Sequence, residues 1–127
     1  MSWPAVFDGL PASVKVGYRT YRLELWTEQQ AKEEDSDGEC DHEAGAIRLD
    51  PTMDAQKAGN TLLHELIHAV WYVWSMPEEG IGEEFAVGAV TNGLATVIRD
   101  NPGLFGWIER SLREEPGFAV HGSTSSP

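Results

Sequence analysis

Residues 61–74 read Thr-Leu-Leu-His-Glu-Leu-Ile-His-Ala-Val-Trp-Tyr-Val-Trp. On a helix this stretch is apolar on nearly every side, except where His64, Glu65 and His68 stand. Such a helix is predicted to be buried, and three ionisable groups on it are costly there unless they share a metal or other partners. The stretch therefore predicts a central helix that carries a polar site.

The spacing of the two histidines indicates what the shared partner is. Residues four apart lie about one turn apart on the same side of a helix, so His64 and His68 can reach one ion through their ring nitrogens. The carboxylate of Glu65 can take a proton from a water molecule that the ion activates. The pattern predicts a zinc site with hydrolytic chemistry. The alternative is two core histidines satisfied by hydrogen bonds and a Glu at the surface.

A catalytic zinc site needs a third protein ligand and an open position for water. Residues 80–99 predict a second helix that faces the core, because an apolar stripe recurs there at the helical period: Val87, Val90, Leu94, Val97 and Ile98. Glu83 continues this stripe and is predicted to be the third ligand. Glu84 is turned about 100° away and is the alternative ligand. A further alternative is that both carboxylates only favour a helix N-terminus electrostatically.

This combination resembles a known group of enzymes. A His-Glu-x-x-His helix followed by a helix-borne Glu resembles the gluzincin zinc metallopeptidases, and residues 83–86 are similar to the Glu-x-x-Ala context of the third ligand there. The short chain and the β-hairpin-like segment that ends at residues 47–50, just before the helix, resemble small prophage-associated peptidases related to the ImmA/IrrE family. The resemblance implies zinc bound by His64, His68 and Glu83, with Glu65 as general base.

The composition limits the class of protein. A chain of 127 residues fits one domain, so residues 1–115 are predicted to form a single minimal metallopeptidase domain and residues 116–127 a disordered tail. A net charge of -12 argues against nucleic acid or an anionic membrane surface as partner. Cys40 is the single cysteine, which suits a reducing cytoplasm. No uninterrupted apolar stretch is long enough to span a bilayer, and a soluble cytoplasmic protein is expected.

The remaining segments predict an α+β domain. Residues 14–26 read as one bent strand or two short ones, and residues 44–49 as a strand that pairs with residues 23–26 across an acidic loop. Asp50 or Thr52 is able to cap the central helix, which is expected to end at about residue 74. The layout is a small β-hairpin or sheet packed on a two-helix zincin-like core, followed by a short helix over residues 104–112.

Four smaller predictions concern the surroundings of the site. The acidic segment 33–43 is expected to be a solvated hairpin loop rather than a calcium loop, because Ala44 stands at the last ligand position. Strand 46–49 is predicted to hold an extended peptide by edge pairing. Tyr72 is expected to pack in the core with Trp71 and Trp74. The remaining histidines are expected to be solvated at the surface: His42 and His121.

The leading functional prediction is a cytoplasmic zinc-dependent endopeptidase that hydrolyses a peptide or protein, with Glu65 as general base. The alternative is a non-catalytic, zinc-stabilised binding or regulatory protein of phage origin. In that alternative a fourth protein ligand closes the site, supplied by Glu84, His42 or Cys40, whereas a catalytic site keeps a position for water.

Overall fold

The computed structural model describes residues 3–77 and 79–114. Within these residues the chain forms a small sheet and a set of helices, which confirms the predicted α+β class. The predicted tail, residues 116–127, lies outside the described residues, as does His121. After a 3-10 turn at Ala5–Phe7, the elements in chain order are β1 (Ser13–Val16), β2 (Arg19–Leu25), α1 (Glu28–Glu33), β3 (Gly38–Asp41), β4 (Ala46–Leu49), α2 (Ala55–Val73), α3 (Glu83–Asp100) and α4 (Pro102–Arg113).

The sheet has the strand order β1-β2-β4-β3. Residues 14–26 form two strands rather than one, joined by a turn at Gly17 with a φ of 62°, a left-handed conformation that glycine adopts without strain. Strand β4 pairs in parallel with β2 and antiparallel with β3. The pairing predicted between the two apolar segments is therefore present, but it is parallel and not that of a hairpin.

The prediction of a solvated loop at residues 33–43 is wrong, and so is the prediction that strand 46–49 binds a peptide at its edge. Residues 33–43 do not form one solvated loop, because they include the end of α1 and the whole of β3. As a result β4 is an interior strand and cannot bind a peptide by edge pairing; within the described residues the edges are β1 and β3. The segment tolerates a strand because its Glu39 and Asp41 side chains both bind Arg48 on β4, at 2.7 and 3.1 Å. The calcium interpretation fails for the same reason.

Helix α2 begins later than the sequence suggested. Asp54 is the N-cap, and its carboxylate accepts a hydrogen bond from the Lys57 backbone N–H at 2.9 Å. The prediction of a cap at Asp50 or Thr52 is wrong, because Asp50 instead accepts hydrogen bonds from the backbone and hydroxyl of Thr52 in the preceding turn. The helix ends at Val73, close to the predicted end.

The core lies between the sheet and helix α2, with α4 packed against the helix. The buried face of α2 consists of small and aliphatic side chains with no exposed surface: Ala58, Leu62, Leu66, Ala69 and Val70. Trp107 of α4 is 2% exposed and stacks on Phe7 with the ring centroids 6.0 Å apart. This packing holds α2 at the centre and leaves one of its faces open.

Helix α3 packs against the core through only part of the predicted stripe, where Val97 is buried and Leu94 packs beside it. Val97 is buried, but Val87 and Ile98 are 54% and 51% exposed, so the predicted stripe does not face the core as a whole. The close contact passes through Gly93, where an added Cβ would lie 2.5 Å from Val70 Cγ1. Close approach of the backbones at a glycine thus sets the helix orientation, which a pattern of large apolar residues does not register.

The C-terminal helix α4 agrees with the short helix predicted over residues 104–112 and starts with a proline in its first turn. Within residues 3–77 and 79–114 no helix combines the length and the apolar character that crossing a membrane requires.

Candidate metal centre

The two histidines of α2 come together on its open face. His64 and His68 are both exposed, and their Nε2 atoms lie 3.2 Å apart. Two nitrogens bound to one tetrahedral zinc at about 2.0–2.1 Å lie about 3.3–3.4 Å from each other, so the pair fits two positions of a zinc site. The same distance also suits a hydrogen bond between a protonated and an unprotonated ring nitrogen.

In contrast to the two histidines, Glu65 is buried. Its side chain is only 6% exposed, yet it makes no hydrogen bond to any described residue. Because no fully buried side-chain oxygen or nitrogen in the described part of the chain lacks a partner, its carboxylate oxygens must reach solvent. They do so in a cavity of about 220 Å³ that Glu65 lines together with Ser36, Asp37, Gly38, Asn60, Thr61 and His64.

The environment of Glu65 disfavours its charge. Burial raises the pKa of this carboxyl, and the negative charge of Glu39 acts in the same direction, while His64 and His68 oppose the shift. The arrangement contradicts the alternative of core histidines with a surface Glu, because the histidines are exposed and the carboxylate is buried.

Among the described residues, the predicted third ligand does not join the histidine pair in a metal-binding group. Glu83 and Glu84 are exposed in the first turn of α3. Among residues 3–77 and 79–114, no group of three or more His, Cys, Asp or Glu side chains is arranged to hold a metal ion. The chain thus brings together two of the predicted ligands and the predicted base. The sequence favours Glu83 over Glu84 because Glu83 continues the apolar stripe of this helix. Val87, the first apolar residue of the stripe, is exposed, so the stripe does not face the core at this end of α3. The stripe therefore gives no reason to prefer Glu83.

His42 is a site residue that the sequence analysis missed. It follows β3, is half-buried, and stacks on Tyr72 with the ring centroids 4.0 Å apart and an interplanar angle of 5°. Its Nδ1 lies 3.1 Å from the Tyr21 hydroxyl. The predictions of a solvated His42 and a core Tyr72 are both wrong, because Tyr72 is 49% exposed and β3 carries His42 over the open face of α2. The sequence signal was the alternation of residues 38–41, which the acidic composition obscured.

A second cavity lies on the other side of the histidine pair. It measures about 400 Å³ and is lined by aromatic and apolar side chains together with two histidines: His42, Ile67, His68, Trp71, Tyr72 and Met76. We call this cavity the aromatic groove. His68 lines the groove and also supplies one of the two paired Nε2 atoms. A ligand in the groove would therefore lie beside the candidate metal position.

Cys40 is half-buried and contacts His42. Burial raises the pKa of its thiol to about 12, and the nearby Glu65 charge adds to the shift. Its sulfur lies 3.6 Å from Nδ1 of His42. Within the described residues, Cys40 forms no metal-binding group with His64 and His68.

Compared with known proteins, the chain matches no protein family, no curated protein and no solved structure. The gluzincin resemblance therefore depends on the residue pattern, and the functional argument depends on the geometry of the site.

Proposed function

We propose that this protein is a zinc-dependent metallopeptidase of the cytoplasm that hydrolyses peptide bonds in a peptide or protein. One observation carries the proposal: a buried carboxylate without a protein hydrogen bond stands beside two imidazole nitrogens at a chelating distance. Buried polar groups with a structural role are normally hydrogen-bonded. Glu65 therefore looks like a group kept for a ligand, which is how the base of a hydrolase is arranged.

The residues have distinct roles in this proposal. His64 and His68 would hold the ion, which would supply Lewis acidity and activate a water molecule for attack. Glu65 would accept the proton of that water and pass it to the leaving amine, because it is adjacent to His64 in α2 and lines the same cavity as His64.

The third ligand remains a prediction. Glu83 is proposed, with Glu84 as the alternative, and binding of the ion would have to draw the start of α3 toward the two imidazoles. Replacing the true ligand by Gln is expected to weaken zinc binding at least tenfold, while the same change at the neighbouring Glu leaves it within about threefold. Isothermal titration of E83Q and E84Q with zinc distinguishes the two.

The substrate path follows β3 instead of β4. Strand β3 is an edge strand within the described residues and packs against α2, where a Cβ on Gly38 would lie 3.1 Å from Thr61 Cγ2. The cavity at Glu65 begins at this strand. An extended peptide added to the β3 edge would gain main-chain hydrogen bonds and pass over the pair. The net charge of -12 favours a neutral or basic peptide over nucleic acid or an anionic membrane.

Cleavage of a peptide library by the zinc-loaded chain tests the proposal. Wild type is expected to cleave, and E65Q to lose 10²- to 10⁴-fold in rate, roughly the range for a general base, while it still binds zinc. E34Q changes an exposed Glu at the end of α1 and is the matched control, expected at wild-type rate. Cleavage by E65Q at full rate would exclude Glu65 as base. Zinc binding without cleavage by wild type would support the non-catalytic alternative.

A further inference from the structure

We propose that His42 is a hydrogen-bond donor of the site, fixed as the Nε2–H tautomer, and that it binds a main-chain carbonyl oxygen of a peptide whose apolar side chain fills the aromatic groove. The peptide as ligand depends on the proposed function. The tautomer and the groove depend only on contacts within the chain, and they can be tested without catalysis.

The tautomer follows from the buried hydroxyl of Tyr21. Tyr21 has no exposed surface, and within the described residues its hydroxyl bonds only to Nδ1 of His42, at 3.1 Å. A buried hydroxyl that cannot donate costs about 1–3 kcal/mol, so Nδ1 must be the acceptor. Cys40 adds a second donor at 3.6 Å from the same nitrogen. The proton of a neutral His42 is therefore on Nε2.

The ring of His42 is held in place before any ligand arrives. It stacks on Tyr72 at 4.0 Å, and Tyr21 meets its edge at 6.1 Å with an interplanar angle of 79°. The Arg19 guanidinium lies over both tyrosine rings, 5.1 and 5.7 Å from their centroids. A donor held between two tyrosine rings loses little conformational entropy when it binds, which favours affinity.

The free nitrogen of His42 is available to a ligand. Nε2 makes no hydrogen bond to a described residue, and no fully buried side-chain nitrogen or oxygen in this part of the chain lacks a partner, so Nε2 reaches solvent. The residue lines the aromatic groove beside His68.

The shape of the groove indicates the class of ligand. Its volume of about 400 Å³ is within the range of small-ligand pockets, and most of its walls are apolar or aromatic. A neutral N–H donor at the rim of such a pocket suits an amide carbonyl attached to an apolar residue. The cavity on the Glu65 side is instead bordered by Ser36, Asp37 and Asn60, so the two sides of the histidine pair differ in polarity.

Nitrogen NMR of the imidazoles in the full chain tests the tautomer. Wild type is expected to show His42 mainly as Nε2–H, and Y21F to show a mixture of tautomers because the buried donor is gone. Y18F removes the hydroxyl of a tyrosine that is 78% exposed and should match wild type. A wild-type His42 with its proton on Nδ1 would overturn the proposal, and this result does not depend on how well Y21F folds.

Titration with N-acetyl-L-phenylalaninamide tests the groove. The probe is expected to shift the NMR signals of His42, His68 and Trp71, whereas N-acetylglycinamide is not. H42F keeps a ring against Tyr72 but has no donor, so the phenylalanine probe should bind about fivefold more weakly, the worth of one hydrogen bond. Toluene, which has no carbonyl, should bind both proteins equally.

Equal binding of the phenylalanine probe by wild type and H42F would overturn the donor role, and no binding in the groove would overturn the proposal as a whole. Neither measurement needs zinc or cleavage. A failure of the proposed peptidase activity would leave these results unchanged, so the two proposals can fail separately.

Discussion

Glu65 combines features that folding alone does not favour. Its side chain is 6% exposed, its pKa is raised chiefly by burial, and no described residue donates a hydrogen bond to it. Proteins retain such unfavourable groups at sites where function requires them, at a cost in stability. His64 and His68 differ, since both are exposed and lie within contact distance of each other. The site thus consists of a buried carboxyl group, whose burial lowers the stability of the fold, beside two imidazoles that solvent can reach.

Replacing Glu65 by Gln should therefore stabilise the metal-free protein. We expect E65Q to raise the free energy of unfolding by about 1 kcal/mol at pH 7, because an ionised carboxylate no longer has to lie largely buried without a hydrogen bond from the protein. Urea denaturation in the presence of a chelator measures the change. The control E34Q should stay within about 0.5 kcal/mol of wild type. A less stable E65Q would mean that the carboxylate has a structural partner after all.

Among the secondary-structure elements, helix α3 shows how a close contact at a glycine determines the packing of one helix on another. The helix contains two interior glycines with opposite surroundings. An added Cβ at Gly93 would lie 2.5 Å from Val70 Cγ1, whereas at Gly88 nothing lies within 4 Å. The same substitution should thus have opposite effects within one helix.

We expect G93A to lower the free energy of unfolding by about 1–3 kcal/mol, because the added methyl group forces α3 away from α2. G88A should raise it by about 0.5–1 kcal/mol through helix propensity. Chemical denaturation of the two variants measures both changes in the free energy of unfolding, and each variant serves as the control for the other. If G93A is as stable as G88A, then α3 does not pack on α2 through this glycine.

Arg48 links three strands through their acidic side chains. It binds Glu24 of β2 and Glu39 and Asp41 of β3 at 2.7–3.1 Å. The pKa of Glu24 is lowered by hydrogen bonds from Arg22 and Arg48, and that of Asp41 by the Ala44 backbone and Arg48. Since these folded-state pKa values lie below the unfolded ones, the two groups stabilise the fold above the unfolded pKa, and this contribution is lost as the pH falls through the folded pKa.

R48Q is therefore expected to be less stable than wild type at pH 7, with a Tm lower by roughly 5 °C, and the gap should narrow below about pH 4. Thermal melts from pH 3 to pH 7 measure it. K32Q removes a positive charge from the end of α1 and serves as control, with a small and nearly constant shift. A gap that widens on acidification would contradict the role of the network.

The sequence predicts the central helix well because fourteen residues agree on it and its polar positions follow one spacing. Its predictions fail where a contact between distant segments overrides local composition. Strand β3 depends on Arg48 to neutralise an acidic segment, and helix α3 depends on a glycine that allows close packing. His42 becomes a site residue only because β3 exists. Local pattern thus predicts which chemistry α2 carries, while the surroundings of that chemistry come from tertiary contacts.

At the scale of the whole molecule, the fold presents one open face of α2 between an edge strand and the aromatic groove. The paired histidines lie at the middle of this face, with a polar cavity on one side and an apolar one on the other. Glu83 and Glu84 stand at the exposed start of α3, so the step from two metal ligands to three would involve movement of one helix end. The proposed function requires that the two imidazoles hold a zinc ion.

X-ray absorption at the zinc edge of the full chain, loaded with one equivalent of zinc, tests this requirement most directly. We predict two imidazole nitrogens at about 2.0–2.1 Å with oxygen donors completing the coordination and no sulfur. The imidazole signal should disappear in the H64A/H68A double variant. An unchanged imidazole signal in that variant, or a sulfur ligand in wild type, would contradict the account.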